Sequence, residues 1–172
     1  CVAGVDENVG RLLDYLKEQG LEDDTVIIYT GDQGMMLGEH DRVDKRWGFE
    51  ESMRMPFIVR YPKEIETNSI NKDIINNVDF APTILDFAGV RAPSKMQGRS
   101  FRKNLSGITP QNWRQATYYR YWMHRAHHDV PAHYAIRTER YKMIFYYGLA
   151  IHPRMDEIWA RGPGENVNQT NL

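Results

Sequence analysis

The fold is decided by the stretch Thr25-Val26-Ile27-Ile28-Tyr29-Thr30-Gly31-Asp32-Gln33-Gly34. Its first six residues are mostly β-branched, which predicts a buried strand of a mainly parallel sheet. Upstream, apolar residues recur at three- and four-residue intervals from Val5 to Leu16, the spacing of an amphipathic helix, and Gly20 is placed to end it. A helix, a short turn and a buried strand together indicate an α/β domain.

The four residues after this strand carry the first functional signal. Gly31 and Gly34 allow a sharp turn, while Asp32 and Gln33 offer a carboxylate and an amide carbonyl at the end of the strand, where such sheets bind ligands. Calcium prefers oxygen ligands of this kind but takes about six to eight of them, so other residues must complete any site. A plain turn in which Asp32 caps a following helix is an equally open interpretation.

Composition excludes several classes of protein. The 172 residues include 22 Lys and Arg against 23 Asp and Glu, a net charge of −1, which argues against a nucleic-acid partner. No apolar stretch approaches the roughly 18 residues of a membrane span. The single cysteine, Cys1, forms no internal disulfide, and its place at the start, where methionine is usual, indicates a fragment.

A series of segments downstream resembles the sulfatase family. They occur in the family's order and extend over nearly the whole chain, which makes the set far more specific than any one motif. The segments are Leu37-Gly38-Glu39-His40, Asp44-Lys45-Arg46-Trp47, Glu50-Glu51-Ser52, Arg54 to Pro62, Asn77 to Val90, Met96 to Ser100, and Ile136 to Ile144.

The resemblance implies an α/β, alkaline phosphatase-like fold. Residues 1–110 would form the C-terminal part of its large mixed sheet domain, and residues 111–172 a small antiparallel β subdomain. The residues themselves support the second part, because aromatic and β-branched runs flank a Glu139-Arg140 turn and predict a hairpin with a partner strand. The stretch from Glu157 to Asn166 departs from the family pattern, although a terminal strand and turn are still expected there.

The resemblance also implies roles for individual residues. Asp32 and Gln33 correspond to two ligands of one calcium ion, and Lys45 to the lysine that reaches the sulfate group. An ammonium group suits a tetrahedral anion next to a cation. His40 lies in the same loop and is a candidate to orient or protonate sulfate oxygens, although a loop histidine that only bonds the backbone is as plausible a reading.

Four histidines lie close together in the segment before the predicted hairpin. His124, His127, His128 and His133 invite a zinc site, but no cysteine accompanies them. The preferred interpretation places the His-Asp-Val-Pro-Ala-His loop at the rim of the substrate pocket, with His133 as the residue that contacts the sugar.

The family's nucleophile, a formylglycine made within a Cys/Ser-x-Pro/Ala-x-Arg motif, has no counterpart here, because Cys1 is followed by Val2-Ala3-Gly4-Val5. The resemblance therefore implies that the formylglycine and the remaining metal ligands come from a missing N-terminal half of the same enzyme. The 172-residue chain alone is expected to release no sulfate.

The function expected from the resemblance is that of a sulfuric ester hydrolase acting on a sulfated carbohydrate or an aryl sulfate. A periplasmic, secreted or lysosomal location would follow from the family. Two alternatives stay open: a phosphonate or phosphate monoester hydrolase of the same superfamily, and a catalytically inactive protein that binds sulfated glycans.

Overall fold

The computed structural model describes residues 2–147, and these residues form two compact units. The first unit comprises residues 2–29, 57–72 and 78–111, and the second comprises residues 30–56, 73–77 and 112–147. The division of the chain near residue 110 into two domains stays a prediction. The stretch from Glu157 to Asn166 lies outside the described residues.

The structure confirms the helix and the strand predicted near the start of the chain, but the strand is only partly buried, with Tyr29 exposed. Helix α1 spans Val2–Glu18, and strand β1 spans Ile27–Thr30. Gly20 adopts a left-handed φ of 66°, donates its amide to the Lys17 carbonyl, and is followed by a bond from the Leu21 amide to the Leu16 carbonyl. This pair of hydrogen bonds satisfies the last carbonyls of the helix and ends it.

The rest of the first unit packs around aromatic rings. Strand β4 (Phe57–Arg60) pairs with β1, and two helices follow, α3 (Phe80–Phe87) and α4 (Arg102–Leu105). The Phe57 ring lies 5.3 Å from the rings of both Phe80 and Phe101, and Phe101 is buried. Burial of this aromatic area holds α3 in place.

The second unit contains the short elements that surround the candidate site. Strands β2 (Met36–Leu37) and β3 (Val43–Asp44) pair antiparallel, with Met36 opposite Asp44, and helix α2 spans Glu50–Met53. The Trp47 amide donates to the Ser52 hydroxyl at 3.1 Å, and the Trp47 indole N–H donates to the Val43 carbonyl at 3.2 Å. These bonds fold the segment after β3 back onto β3 and α2.

An antiparallel sheet completes the second unit and confirms the predicted hairpin and partner strand. It consists of β5 (Ala116–Tyr121), β6 (His133–Thr138) and β7 (Lys142–Phe145) in that order. Alternate residues along these strands share one face of the sheet, and this face packs against the core formed by Met36, Trp47 and Val130.

Among residues 2–147, no helix combines the length and the apolar content that crossing a membrane requires.

Candidate functional site

Asp32 and Gln33 follow β1 in the chain after Gly31 and lie in the loop that carries the candidate site. The Asp32 side chain is 74% exposed, and its Oδ2 accepts a hydrogen bond of 2.7 Å from the Nζ of Lys45. This bond and the positive charge of Lys45 lower the pKa of the Asp32 carboxyl. The structure therefore brings together two of the predicted site residues, a carboxylate and an ammonium group that lie thirteen positions apart.

Gly34 allows this loop to pass close to α2. Its amide donates to the Ser52 carbonyl at 3.0 Å. A Cβ at position 34 would lie 2.0 Å from the Glu51 carbonyl oxygen and 2.6 Å from that of Arg54. Any side chain here would push the loop away from α2, so glycine is needed to keep the preceding two residues in place.

Gln33 is oriented by the antiparallel sheet. Burial raises the pKa of Tyr119 on β5, and a hydrogen bond with the Gln33 side chain acts against that rise. This contact links the Gln33 side chain to β5.

Lys45 is held between two anchored residues. Asp44 is buried, and its carboxylate accepts hydrogen bonds of 2.5 and 2.6 Å from Nη1 of Arg46. The Arg46 carbonyl in turn accepts a hydrogen bond of 3.0 Å from the Tyr119 hydroxyl. The fixed neighbours anchor the backbone of Lys45, and the hydrogen bond to Asp32 positions its ammonium group.

We expect replacement of Asp44 by asparagine to lower the stability of the full-length protein by about 1–3 kcal/mol at neutral pH. Burial alone would raise the pKa of the Asp44 carboxyl. Hydrogen bonds from Arg46 and from the Lys45 amide, together with the charge of Arg46, outweigh the effect of burial, so the pKa is lowered. Such a carboxylate stabilises the folded state above its unfolded pKa of about 4, and the stabilisation is lost as the pH falls through the folded pKa.

The measurement is the melting temperature of wild type and Asp44→Asn as a function of pH. The difference between them should be large near neutral pH and shrink below a pH of about 4. Asp14→Asn, which changes an exposed carboxylate on α1, is the matched control. If the difference in melting temperature between wild type and Asp44→Asn were the same at all pH values, the ion pair of Asp44 with Arg46 would not account for the stabilisation.

His40 lies in the same loop but makes different contacts. Its φ is 57°, in the left-handed region, and its ring stacks on Phe49 with centroids 4.4 Å apart. Its Nε2 lies 3.3 Å from Oε2 of Glu51, and about half of its side chain is exposed. These contacts fix the ring orientation, and the predicted catalytic role of His40 stays a prediction.

His133 lies deeper than the rim position expected from the sequence. It is fully buried on β6, and its Nδ1 is 2.7 Å from the Pro131 carbonyl oxygen. Burial lowers the pKa of His133, although the hydrogen bond to Pro131 acts in the opposite direction. The lowered pKa favours the neutral ring. The alternation of β6 turns His133 toward the rings of Tyr119, Tyr121 and Tyr146, at 5.1 to 5.8 Å. Substrate contact by His133 stays a prediction.

A cavity of about 250 Å³ lies within the second unit, and sequence reasoning did not find it. Its walls come from the 38–49 loop, the loop before β6 and the residue after β7. The lining includes the aromatic residues Trp47, Phe49 and Tyr146 and the charged residues Arg42, His128 and Asp129. The only sequence signal for this cavity is the polar loop before β6. His128 and Asp129 of this loop line the cavity, whereas His133 does not.

The oxygen donors of this chain fit part of a calcium site. Asp32 supplies an exposed carboxylate and Gln33 an amide carbonyl, which is the donor chemistry that hard cations prefer. Within residues 2–147, no group of three or more His, Cys, Asp and Glu side chains is arranged to hold a metal. The two residues can therefore hold calcium only together with ligands from elsewhere.

Comparison with known proteins gives a family match over most of the chain. Residues 38–159 match the family described as N-sulphoglucosamine sulphohydrolase, C-terminal. The chain is 53% identical over 148 residues to an N-acetylglucosamine-6-O-sulfatase of Bacteroides thetaiotaomicron, a match that covers 85% of this chain and 26% of that protein. The chain thus spans about a quarter of the length of this curated relative.

Two solved structures show the same fold. One was determined in complex with its substrate D-glucosamine-2-N,6-O-disulfate; it has a TM-score of 0.81 and 53% identity, covering 85% of this chain and 30% of that one. The other is a phosphonate monoester hydrolase from Silicibacter pomeroyi, with a TM-score of 0.73 and 28% identity, covering 83% of this chain and 30% of that one.

These likenesses confirm the α/β, alkaline phosphatase-like fold expected from the sequence. The chain belongs to the sulfatase family, and it corresponds to the C-terminal portion of a sulfatase.

Proposed function

We propose that the full-length enzyme removes the 6-O-sulfate of a sulfated glucosamine, and that this chain supplies part of its calcium and sulfate site. The observation that carries the proposal is the 2.7 Å contact between Lys45 Nζ and the exposed Asp32 carboxylate, next to Gln33. The identity of 53% to an N-acetylglucosamine-6-O-sulfatase supports the choice of sugar.

Lys45 is suited to bind the sulfate group. An ammonium group has three N–H donors. One is used by Asp32, and two can donate to sulfate oxygens. Negative charge grows on the sulfate and on the leaving oxygen as the S–O bond breaks, so a fixed ammonium stabilises the transition state more than the ground state.

Asp32 and Gln33 would hold the calcium ion through one carboxylate oxygen and one amide carbonyl oxygen. When bound, calcium supplies Lewis-acid polarisation of the sulfate oxygens. Asp32 has a second role toward Lys45, because its carboxylate accepts a hydrogen bond from the ammonium group and holds it in place. A formylglycine supplied by the rest of the enzyme would provide the nucleophile.

His40 is proposed to act on the sulfate or on the leaving group. Glu51 fixes one of its ring nitrogens at 3.3 Å, and stacking on Phe49 fixes the ring plane. A histidine held in this way can donate a proton or a hydrogen bond to a substrate oxygen with its other nitrogen.

Purified full-length protein tests the proposal. With calcium present, it should release sulfate from N-acetylglucosamine 6-sulfate and from glucosamine disulfated on N2 and O6, faster than from an aryl sulfate. Two outcomes would contradict the proposal and favour another function. Faster hydrolysis of a phosphonate monoester would favour the alternative that the Silicibacter pomeroyi structure supports. Binding of the sulfated sugars without turnover would favour an inactive glycan-binding protein.

The predicted periplasmic, secreted or lysosomal location is retained as part of the proposal. It agrees with a Drosophila melanogaster relative that is named as an extracellular sulfatase.

A further inference from the structure

The cavity of the second unit has the size and lining of a site for one sugar ring. Its volume of about 250 Å³ lies just below the roughly 300–1,000 Å³ of typical small-molecule sites, which leaves room for one ring rather than a chain. Trp47, Phe49 and Tyr146 provide aromatic walls. Aromatic faces pack well against the apolar faces of sugars, whereas the polar edges need partners of their own.

Arg42 gives this cavity a positive charge. Its guanidinium lies 5.0 Å from the centroid of the Trp47 ring, and in the part of the chain that the structure describes it forms no ion pair with a carboxylate. Arg46 and Arg102, by contrast, both pair with carboxylates. A guanidinium over an indole ring still has N–H donors that can bind an anion.

The cavity adjoins the candidate sulfate site. Phe49 forms part of its wall and stacks on His40 at 4.4 Å. His128 also lines it. A sugar ring in the cavity would therefore lie next to the loop that holds the sulfate.

The loop before β6 approaches the cavity with unusual backbone geometry. His128 and Asp129 have φ of 48° and 54°, in the left-handed region that disfavours residues other than glycine. Such conformations persist where the surrounding structure over-determines them, often at ligand sites. Asp129 is tied to Arg125 by an ion pair, which places a carboxylate that can accept hydrogen bonds from sugar hydroxyl groups.

We propose that this cavity binds the glucosamine ring, and that Arg42 binds a second anionic group on the ring, of the N-sulfate type, which the enzyme does not remove. The inference rests on the proposed function, since it specifies which sulfated amino sugars the same site prefers. Arg42 then acts as a specificity-determining residue: it distinguishes an N-sulfated from an N-acetylated sugar through a charge-assisted hydrogen bond.

The test compares two substrates in the full-length enzyme: glucosamine disulfated on N2 and O6, and N-acetylglucosamine 6-sulfate. Arg42→Gln should lower kcat/KM for the disulfated sugar by about 10–100-fold more than for the acetylated one, as expected for the loss of a hydrogen bond to a charged group. Arg42→Lys keeps the charge and should retain most of the preference. Arg91→Gln, which changes an exposed arginine of the first unit, is the control.

Binding to the wild-type enzyme provides a second readout that needs no variant. Calorimetry should show that glucosamine N-sulfate, which lacks the 6-O-sulfate, binds at least about tenfold more tightly than N-acetylglucosamine. Equal binding of the two sugars, or equal loss on both substrates in Arg42→Gln, would overturn the role of Arg42. Absence of sulfate release by wild type would instead refute the proposed function, and the binding measurement would still decide on the cavity.

Discussion

Replacement of Asp32 by alanine in the full-length enzyme should abolish tight calcium binding and lower kcat/KM by about 10³-fold or more. The variant removes a carboxylate that is exposed at the end of β1 and is the only charged oxygen donor of the predicted ligand pair. Changes outside the first coordination shell of a metal typically cost about 10–100-fold in affinity or activity, so loss of a direct ligand should cost more. Calcium affinity is measured by calorimetry and turnover by sulfate release.

Two further variants serve as comparisons for Asp32→Ala. Asp14→Ala removes an exposed carboxylate from α1 and should change neither quantity. Asp32→Asn keeps an oxygen donor without the charge and should fall between wild type and alanine. Full calcium affinity and full activity in Asp32→Ala would show that this residue is no metal ligand.

Replacement of Lys45 by alanine should give a different pattern, in which calcium stays bound while kcat falls by about 10²–10³-fold. Removal of one preorganised donor that stabilises developing charge typically costs this much in kcat. The Asp32 carboxylate would remain, so the metal site would keep its oxygen donors. The separation of metal affinity from kcat is the signature of a residue that acts on the sulfate group.

Lys95→Ala is the matched control for Lys45→Ala, because Lys95 is an exposed lysine of the first unit. Lys45→Arg tests whether charge alone is sufficient, since a guanidinium places its donors differently from an ammonium. If Lys45→Ala lost calcium together with activity, Lys45 would be a structural partner of Asp32 and not a group that binds sulfate.

The elements of the fold were predictable where their signals are local. The helix that ends at Gly20, the strand before Gly31 and the hairpin around Glu139 each follow from periodicity, turn residues and β-branched content within a few positions. The pairing of Asp32 with Lys45 came from the family resemblance alone. Nothing in the local sequence indicates that two side chains thirteen positions apart will meet.

The cavity and the depth of His133 required the tertiary structure. Arg42, Asp129 and Tyr146 come from three separate segments, and only the packing of the 38–49 loop against the sheet brings them together. The position of His133 depends on which face of β6 is buried. Strand alternation allows either face, and the choice is made by the residues that pack against it.

Crystals of the full-length enzyme grown with calcium and N-acetylglucosamine 6-sulfate would test the site itself. We expect an anomalous calcium peak about 2.3–2.6 Å from an Asp32 carboxylate oxygen and from the Gln33 amide oxygen, with Lys45 Nζ about 2.7–3.2 Å from a sulfate oxygen. A calcium ion bound without Asp32 and Gln33, or a sulfate group beyond the reach of Lys45, would refute the site.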